Sequence, residues 1–151
     1  MKDLTFEECK ELGINFPCNL MDNGEYRFRL MDNSENAGWG YILTKMPADV
    51  SGGWQNSHYH KGAKETYIVQ SGWMGFAELL PDSEASIKIY KSGEVFTTEP
   101  GHAHNVYMAA GSVIHTVKHG DCSLGKDWFA SPELYEKTKH FSDEKILSLA
   151  K

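Results

Sequence analysis

Apolar and polar residues alternate along most of the chain between about residue 25 and residue 120, a period typical of β-strands with one buried face. Short clusters of Gly, Pro, Asn, Asp and Ser separate these segments and predict turns, the first of them at residues 32–34. Many short strands at such regular spacing indicate a sandwich or a barrel. The predicted strands are Tyr26–Met31, Trp39–Lys45, Trp54–His60, Glu65–Gln70, Trp73–Leu80, Ser86–Lys91, Glu94–Glu99, Ala103–Met108 and Val113–His119.

Helical patterns flank the strands on both sides. Thr5–Glu8 reads as a capping box, and Gly13 is the predicted stop of this first helix. Ser131–Glu133 supplies an N-cap, a proline at the first helical position and an acid in the first turn, and a last short helix starts at Ser142. The pattern predicts one domain over residues 1–151, with the barrel at about 25–120 and a helical tail at about 131–150.

Composition argues against several classes of function. The chain has 151 residues, a formal net charge of −6 and only two arginines, which argues against a nucleic-acid-binding surface. We also expect no membrane contact and a cytoplasmic location, since neither a signal-peptide pattern nor a long apolar run is present. Cys9, Cys18 and Cys122 form no CxxC pair and are expected to be reduced thiols.

Four residues have the spacing of a metal site. His58 and His60 point to the same face of a strand, because the side-chain period of a strand is two. The four residues that follow include Gly62 and can turn the chain, so that Glu65 returns beside the histidines on the neighbouring strand. With the distant His104, these imidazoles and the carboxylate suit a divalent transition metal.

The same residues resemble the two motifs of the cupin superfamily. The first, G-x5-H-x-H-x4-E-x6-G, is matched at every spacing by Gly52, His58, His60, Glu65 and Gly72. The second, roughly G-x5-P-x-G-x2-H-x3-N, is carried by Gly93, Pro100, Gly101 and His104. This second motif departs from the family in the spacing around its proline, and the family's final asparagine position falls on Met108.

The resemblance implies an all-β fold, the double-stranded β-helix or jelly-roll barrel, with a metal inside. It also implies a homodimer, since cupins commonly dimerise. Three imidazoles and one carboxylate are compatible with one divalent transition metal such as Fe, Mn, Ni or Zn. If the ion is six-coordinate, two positions stay open for water, substrate or dioxygen.

Strand parity predicts which residues surround the ligands. Trp54 and Asn56 share the face of His58, and Met108 follows on the strand of His104, so these three are predicted to contact substrate. Whether they do so or simply pack the barrel is left open by the pattern.

Two further residues are predicted to act in catalysis. Tyr67 shares the face of Glu65 and could donate a proton. His102 lies on the parity of His104 as a candidate fifth ligand or a donor behind the metal, although a loop histidine bonded to backbone is the favoured alternative.

The two arginines have two possible placements. Arg27 and Arg29 alternate with the apolar Tyr26, Phe28 and Leu30. If the apolar set faces the core, the arginines lie outside, and we favour this placement. The alternative places them inside the barrel, where they would clamp a carboxylate.

The expected function is that of a metal-dependent enzyme with isomerase, epimerase or lyase chemistry. Aromatic residues on the ligand-bearing strands favour a small hydroxylated or keto substrate of carbohydrate type, and the scarcity of arginine argues against a doubly charged phosphate. Two alternatives stay open: an iron-dependent dioxygenase, and a non-catalytic cupin that binds a sugar or another metabolite.

Overall fold

The computed structural model describes residues 1–31, 39–121 and 123–149, so the predicted turn at 32–34 and Cys122 lie outside the described residues. Within these ranges the strands are β1 (Lys2–Asp3), β2 (Cys18–Leu20), β3 (Tyr26–Arg29), β4 (Gly40–Lys45), β5 (Gly53–Trp54), β6 (His58–Tyr59), β7 (Ala63–Ser71), β8 (Trp73–Leu79), β9 (Ala85–Lys91), β10 (Val95–Thr97), β11 (His104–Met108), β12 (Val113–Gly120) and β13 (Phe129–Ala130). The helices are α1 (Phe6–Glu11), α2 (Pro132–Thr138) and α3 (Asp143–Leu149). In the described part of the chain, no helix has the length and apolar character to cross a membrane.

The strands form two antiparallel sheets. The first has the order β1-β2-β3-β4-β12-β7-β10, and the second has the order β13-β6-β11-β8-β9 with β5 also paired to β11. Buried side chains of both sheets form one core, which shows that the sheets pack face to face: Met46, Tyr67, Val69, Met74, Phe76, Val106, Met108 and Ile114. The predicted all-β architecture is therefore confirmed.

The N-terminal helix forms as its capping box predicts. The Thr5 hydroxyl accepts the backbone N–H of Glu8 at 3.2 Å, and the Glu8 carboxylate accepts the backbone N–H of Thr5 at 2.8 Å. Gly13 then adopts a φ of +76°, which ends the helix. At α2, Pro132 occupies the first turn as predicted, but the Ser131 side chain makes no capping hydrogen bond.

A second apolar cluster determines which face of β3 points into the barrel. Phe28 is buried with Cys9 and Cys18 against the segment that carries α1, on the outer side of the first sheet. Because side chains alternate along a strand, Arg27 and Arg29 then point into the barrel. The favoured prediction, that the arginines lie outside, is wrong because the apolar face of β3 packs under the N-terminal segment rather than in the barrel core.

The predicted strand Trp54–His60 is interrupted by a one-residue bulge. Trp54 pairs with Tyr107, whereas His58 pairs with His104, so four steps on one strand oppose three on the other. A shift of one residue moves side chains to the opposite face of a sheet. Trp54 consequently loses the parity that it was predicted to share with His58.

Candidate metal centre

Three elements bring the four predicted ligands together. His58 lies on β6, Glu65 lies on β7 and His104 opens β11, while His60 directly follows β6. One possible ligand atom from each residue lies within 4.8 Å of all the others, and all four residues are buried. Gly101, from the second motif, links the loop before His104 to the first motif. It adopts a φ of +82° and donates its backbone N–H to the His60 carbonyl at 2.6 Å.

Backbone carbonyls orient the three imidazoles. Nδ1 of His58 bonds the Asn56 carbonyl at 2.7 Å, and Nδ1 of His104 bonds the His102 carbonyl at 2.9 Å. Nδ1 of His60 bonds the carbonyl of Asp127. Since a carbonyl only accepts, each Nδ1 carries the hydrogen and each Nε2 presents a lone pair, which is the usual arrangement of metal-binding histidines.

The distances between ligand atoms fit one transition metal ion. The Nε2 atoms of His58, His60 and His104 lie 3.6, 3.5 and 3.1 Å from a carboxylate oxygen of Glu65. Metal–ligand bonds of about 2.1 Å place adjacent ligands of an octahedral ion roughly 3 Å apart. Nε2 of His60 is buried and has no hydrogen-bond partner among the residues that the structure describes, and a bound metal would provide that partner.

The electrostatics of the site favour the metal-binding protonation states of His58 and Glu65. Burial lowers the pKa of His58, which favours the neutral imidazole. Burial alone would raise the pKa of Glu65, but the adjacent imidazoles of His104, His58 and His60 outweigh burial and place this pKa well below its ordinary value. A neutral imidazole and an ionised carboxylate are the forms that bind a metal.

Tyr67 lies in the cavity beside the ligands and contacts one of them. Its hydroxyl donates to Oε2 of Glu65 at 2.7 Å, and burial followed by the charge of Glu65 raises its pKa well above the ordinary value. The side chain is thus placed where it was predicted, with its hydroxyl proton held by the ligand carboxylate.

A cavity of about 280 Å³ opens next to the ligands. The residues that line it come from both sheets and from the loop before β13: Met1, Met21, Arg27, Arg29, Ile42, Thr44, Gln55, Asn56, His58, Glu65, Tyr67, Thr116, Lys118 and Trp128. Part of this wall is one row across the first sheet, since Arg29 pairs with Ile42, Ile42 with Thr116 and Thr116 with Tyr67.

Both arginines of the chain line this cavity. Arg27 pairs with the fully buried Glu25, with Nε and Oε1 2.5 Å apart. Arg29 donates from Nε to Oδ1 of Asn19 at 2.7 Å, and it forms no ion pair within the part of the chain that the structure describes. Burial, and then the charge of Arg27, lower the pKa of Arg29, as expected for two guanidinium groups held together.

Three predicted residues do not line the cavity. Trp54, displaced by the bulge, packs edge-on against Tyr107 and donates from Nε1 to the Phe141 carbonyl at 3.1 Å. Met108 is fully buried in the barrel core. His102 is 58% exposed and bonds Glu78 at 2.9 Å, so only its backbone carbonyl serves the centre, through His104. Asn56 does line the cavity.

Lys118 and Trp128 are among the cavity residues that the sequence analysis missed. Nζ of Lys118 lies 3.9 Å from Oε1 of Glu65. Lys118 pairs with Glu65 across β12 and β7, so the alternation of side chains along β12 could have indicated it. Trp128 stacks on His58 with ring centroids 5.4 Å apart and is 42% exposed at the rim. No periodicity marks Trp128, because it lies in the loop before β13.

Comparison with solved structures identifies the fold. An oxalate decarboxylase variant from Bacillus subtilis aligns over 87% of this chain with a TM-score of 0.58 and 13% identity. A conserved protein with a double-stranded β-helix domain from Klebsiella pneumoniae aligns over 87% of this chain and 98% of its own, with a TM-score of 0.54 and 15% identity. The protein has the cupin fold. The predicted double-stranded β-helix is thereby confirmed.

A third similar structure is likewise distant in sequence from this chain. KdgF from Halomonas aligns over 67% of this chain and 83% of its own, with a TM-score of 0.51 and 13% identity. This chain spans 32% of the length of the oxalate decarboxylase. No protein-family model and no curated protein matches the sequence. The similar structures therefore establish the fold, while the metal centre rests on the geometry of its own residues.

Proposed function

We propose that this cupin is a metal-dependent enzyme that acts on a small hydroxylated or keto acid. The observation that carries the proposal is the placement of both arginines of the chain, with Lys118, in the wall of the metal cavity. Arg29 is partly buried and has no ion-pair partner among the described residues, so a ligand that supplies an anion would stabilise its charge. An acid is therefore favoured among the hydroxylated or keto substrates of carbohydrate type that the sequence suggested.

The protein residues have separable tasks in this proposal. Arg29 would bind a carboxylate of the substrate through its terminal nitrogens, because Nε is already donated to Asn19. Tyr67 keeps the Glu65 carboxylate oriented, and Trp128 limits access of water at the rim. A bound divalent ion would supply Lewis acidity and, for iron or manganese, redox chemistry.

Two similar structures support a carboxylate substrate, since their names specify oxalate: an oxalate decarboxylase and an oxalate oxidase. Isomerase or lyase chemistry and oxygen-dependent chemistry differ in their need for dioxygen. Turnover that persists without oxygen supports the first, and oxygen consumption by the iron form supports a dioxygenase.

The test is a screen of the purified protein loaded separately with Mn²⁺, Fe²⁺, Ni²⁺ or Zn²⁺. Oxalate, 2-hydroxy acids, 2-oxo acids and neutral polyols would be followed by NMR with and without oxygen, and His60→Ala is the control for the metal. We expect turnover of an acid and none of the polyols. Turnover of a neutral polyol that is unchanged in Arg29→Gln would overturn the proposal, and tight binding of an acid without turnover would indicate a binding protein.

A further inference from the structure

Asp127 lies in the loop before β13, outside the cavity, and is only 6% exposed. Its carboxylate accepts three successive backbone N–H groups, from Lys61 at 2.7 Å and from Gly62 and Ala63 at 2.8 Å each. These residues form the turn that separates His58 and His60 from Glu65. The carboxylate therefore fixes the turn that determines how His60 and Glu65 are placed relative to each other.

The backbone of the same residue holds a ligand directly. The Asp127 carbonyl accepts the Nδ1–H of His60, which leaves Nε2 of that ring directed at the other ligands. One residue thus controls both the ring of His60 and the path of the chain from His60 to Glu65.

The residues after Asp127 continue along the ligand strand. Trp128 stacks on His58 at an interplanar angle of 22°, and β13 pairs with β6 in the register Phe129–Tyr59 and Ala130–His58. Asp127 consequently belongs to a segment, residues 127–130, that contacts the ligand strand at each successive residue.

The same backbone contacts favour the ionised form of the Asp127 carboxylate. Burial opposes ionisation of the carboxylate, but the N–H groups of Ala63, Lys61 and Gly62 outweigh it and lower its pKa. The nearby Asp121 provides a contrast, because it is exposed and, among the described residues, the one backbone N–H that its carboxylate accepts is that of Ser123, at 3.0 Å.

We propose that Asp127 is a positioning residue of the metal centre, which holds His60 and the turn before Glu65 in their ligand geometry and so sets the affinity for the metal. Its effect is exerted through those residues, and Asp127 itself touches neither the metal position nor the substrate cavity. The proposal does not depend on which reaction the centre catalyses.

The test compares Asp127→Asn with the matched control Asp121→Asn in the full chain. Both substitutions remove one negative charge from the same loop, but only the first places an amide NH₂ group against backbone N–H donors. The demetallated proteins would be titrated with Co²⁺ in competition with a chelator, with the visible absorption of Co²⁺ recorded. We expect about 10- to 100-fold weaker binding and an altered spectrum for Asp127→Asn, and wild-type behaviour for Asp121→Asn.

Thermal unfolding of each apoprotein separates positioning from loss of fold, and the titration is made where every apoprotein is folded. If apo Asp127→Asn does not fold, the rate at which a chelator removes Co²⁺ from the folded, loaded protein replaces the affinity. Wild-type Co²⁺ affinity and spectrum in Asp127→Asn, or an unchanged removal rate in that second case, would overturn the proposal. An equal loss of affinity in Asp121→Asn would also overturn it.

Discussion

Replacing Arg29 by glutamine removes one guanidinium from the metal cavity and keeps a polar side chain that can still reach Asn19. In the wild-type structure, Nε donates to Oδ1 of Asn19 at 2.7 Å, which leaves the two terminal nitrogens for a ligand. Because Arg29 has no ion-pair partner among the residues that the structure describes, its loss removes a binding group without leaving a buried carboxylate unpaired.

The expected size of the effect follows from these contacts. A hydrogen bond to a charged group contributes about 1.5–3 kcal/mol, and about 1.4 kcal/mol corresponds to a factor of ten in an equilibrium constant. The Kd of a ligand carboxylate bound by Arg29 should therefore rise about 10- to 100-fold in Arg29→Gln. Arg29→Lys keeps the charge but loses the planar fork, so we expect an intermediate value.

Calorimetric titration of the Mn²⁺-loaded protein with L-malate and L-lactate isolates this contact, since malate has a second carboxylate that lactate lacks. We expect wild-type protein to bind malate more tightly and Arg29→Gln to lose that preference. The thermal stability of the variant should not fall, because the wild-type residue lies beside Arg27 with a lowered pKa. A retained preference for malate, or a loss of stability that accompanies the loss of binding, would refute the reasoning.

Three further predictions concern the ligands and the rim. In the apoprotein, burial lowers the pKa of His58 below 6.5, and the adjacent imidazoles outweigh burial to lower the pKa of Glu65 below 4.5. The unfolded chain then binds more protons, so stability to urea should fall from about pH 7 to about pH 4, and a flat profile would contradict this. Tyr67→Phe should weaken Co²⁺ binding about tenfold in chelator competition, because the donor to Glu65 is lost; an unchanged Kd would exclude that role. Trp128→Ala should speed removal of Co²⁺ by a chelator, because the ring over His58 is lost, and an unchanged rate would contradict the stacking argument.

The ligand set could be predicted because its determinants are local. His58 and His60 lie close together in sequence, Glu65 follows one short turn later, and the turn contains the glycine that lets the chain approach Asp121 closely. His104 is distant, but its position in the second motif placed it correctly although the spacing around Pro100 is irregular. The alternation of apolar residues similarly sufficed to predict two packed sheets.

The residues around the ligands could not be predicted as well, because their placement depends on distant partners. Trp54 lies outside the cavity because of a bulge, which is recognised only from the pairing of β5 and β6 with β11. Arg27 and Arg29 point inward because the N-terminal segment covers the opposite face of β3, and alternation alone cannot tell which of two apolar clusters a strand faces. Asp127 reaches the ligand turn from more than sixty residues away in the sequence.

The central claim is that His58, His60, Glu65 and His104 together hold one transition metal ion. Elemental analysis by mass spectrometry of natively purified protein tests it directly, with His60→Ala and His104→Ala as ligand variants and His140→Ala, outside the cavity, as the control. We predict about one ion per chain in the wild type and the control, and its loss in both ligand variants. Stoichiometric metal in the ligand variants, or a wild-type protein that holds none after metal supplementation, would contradict the claim.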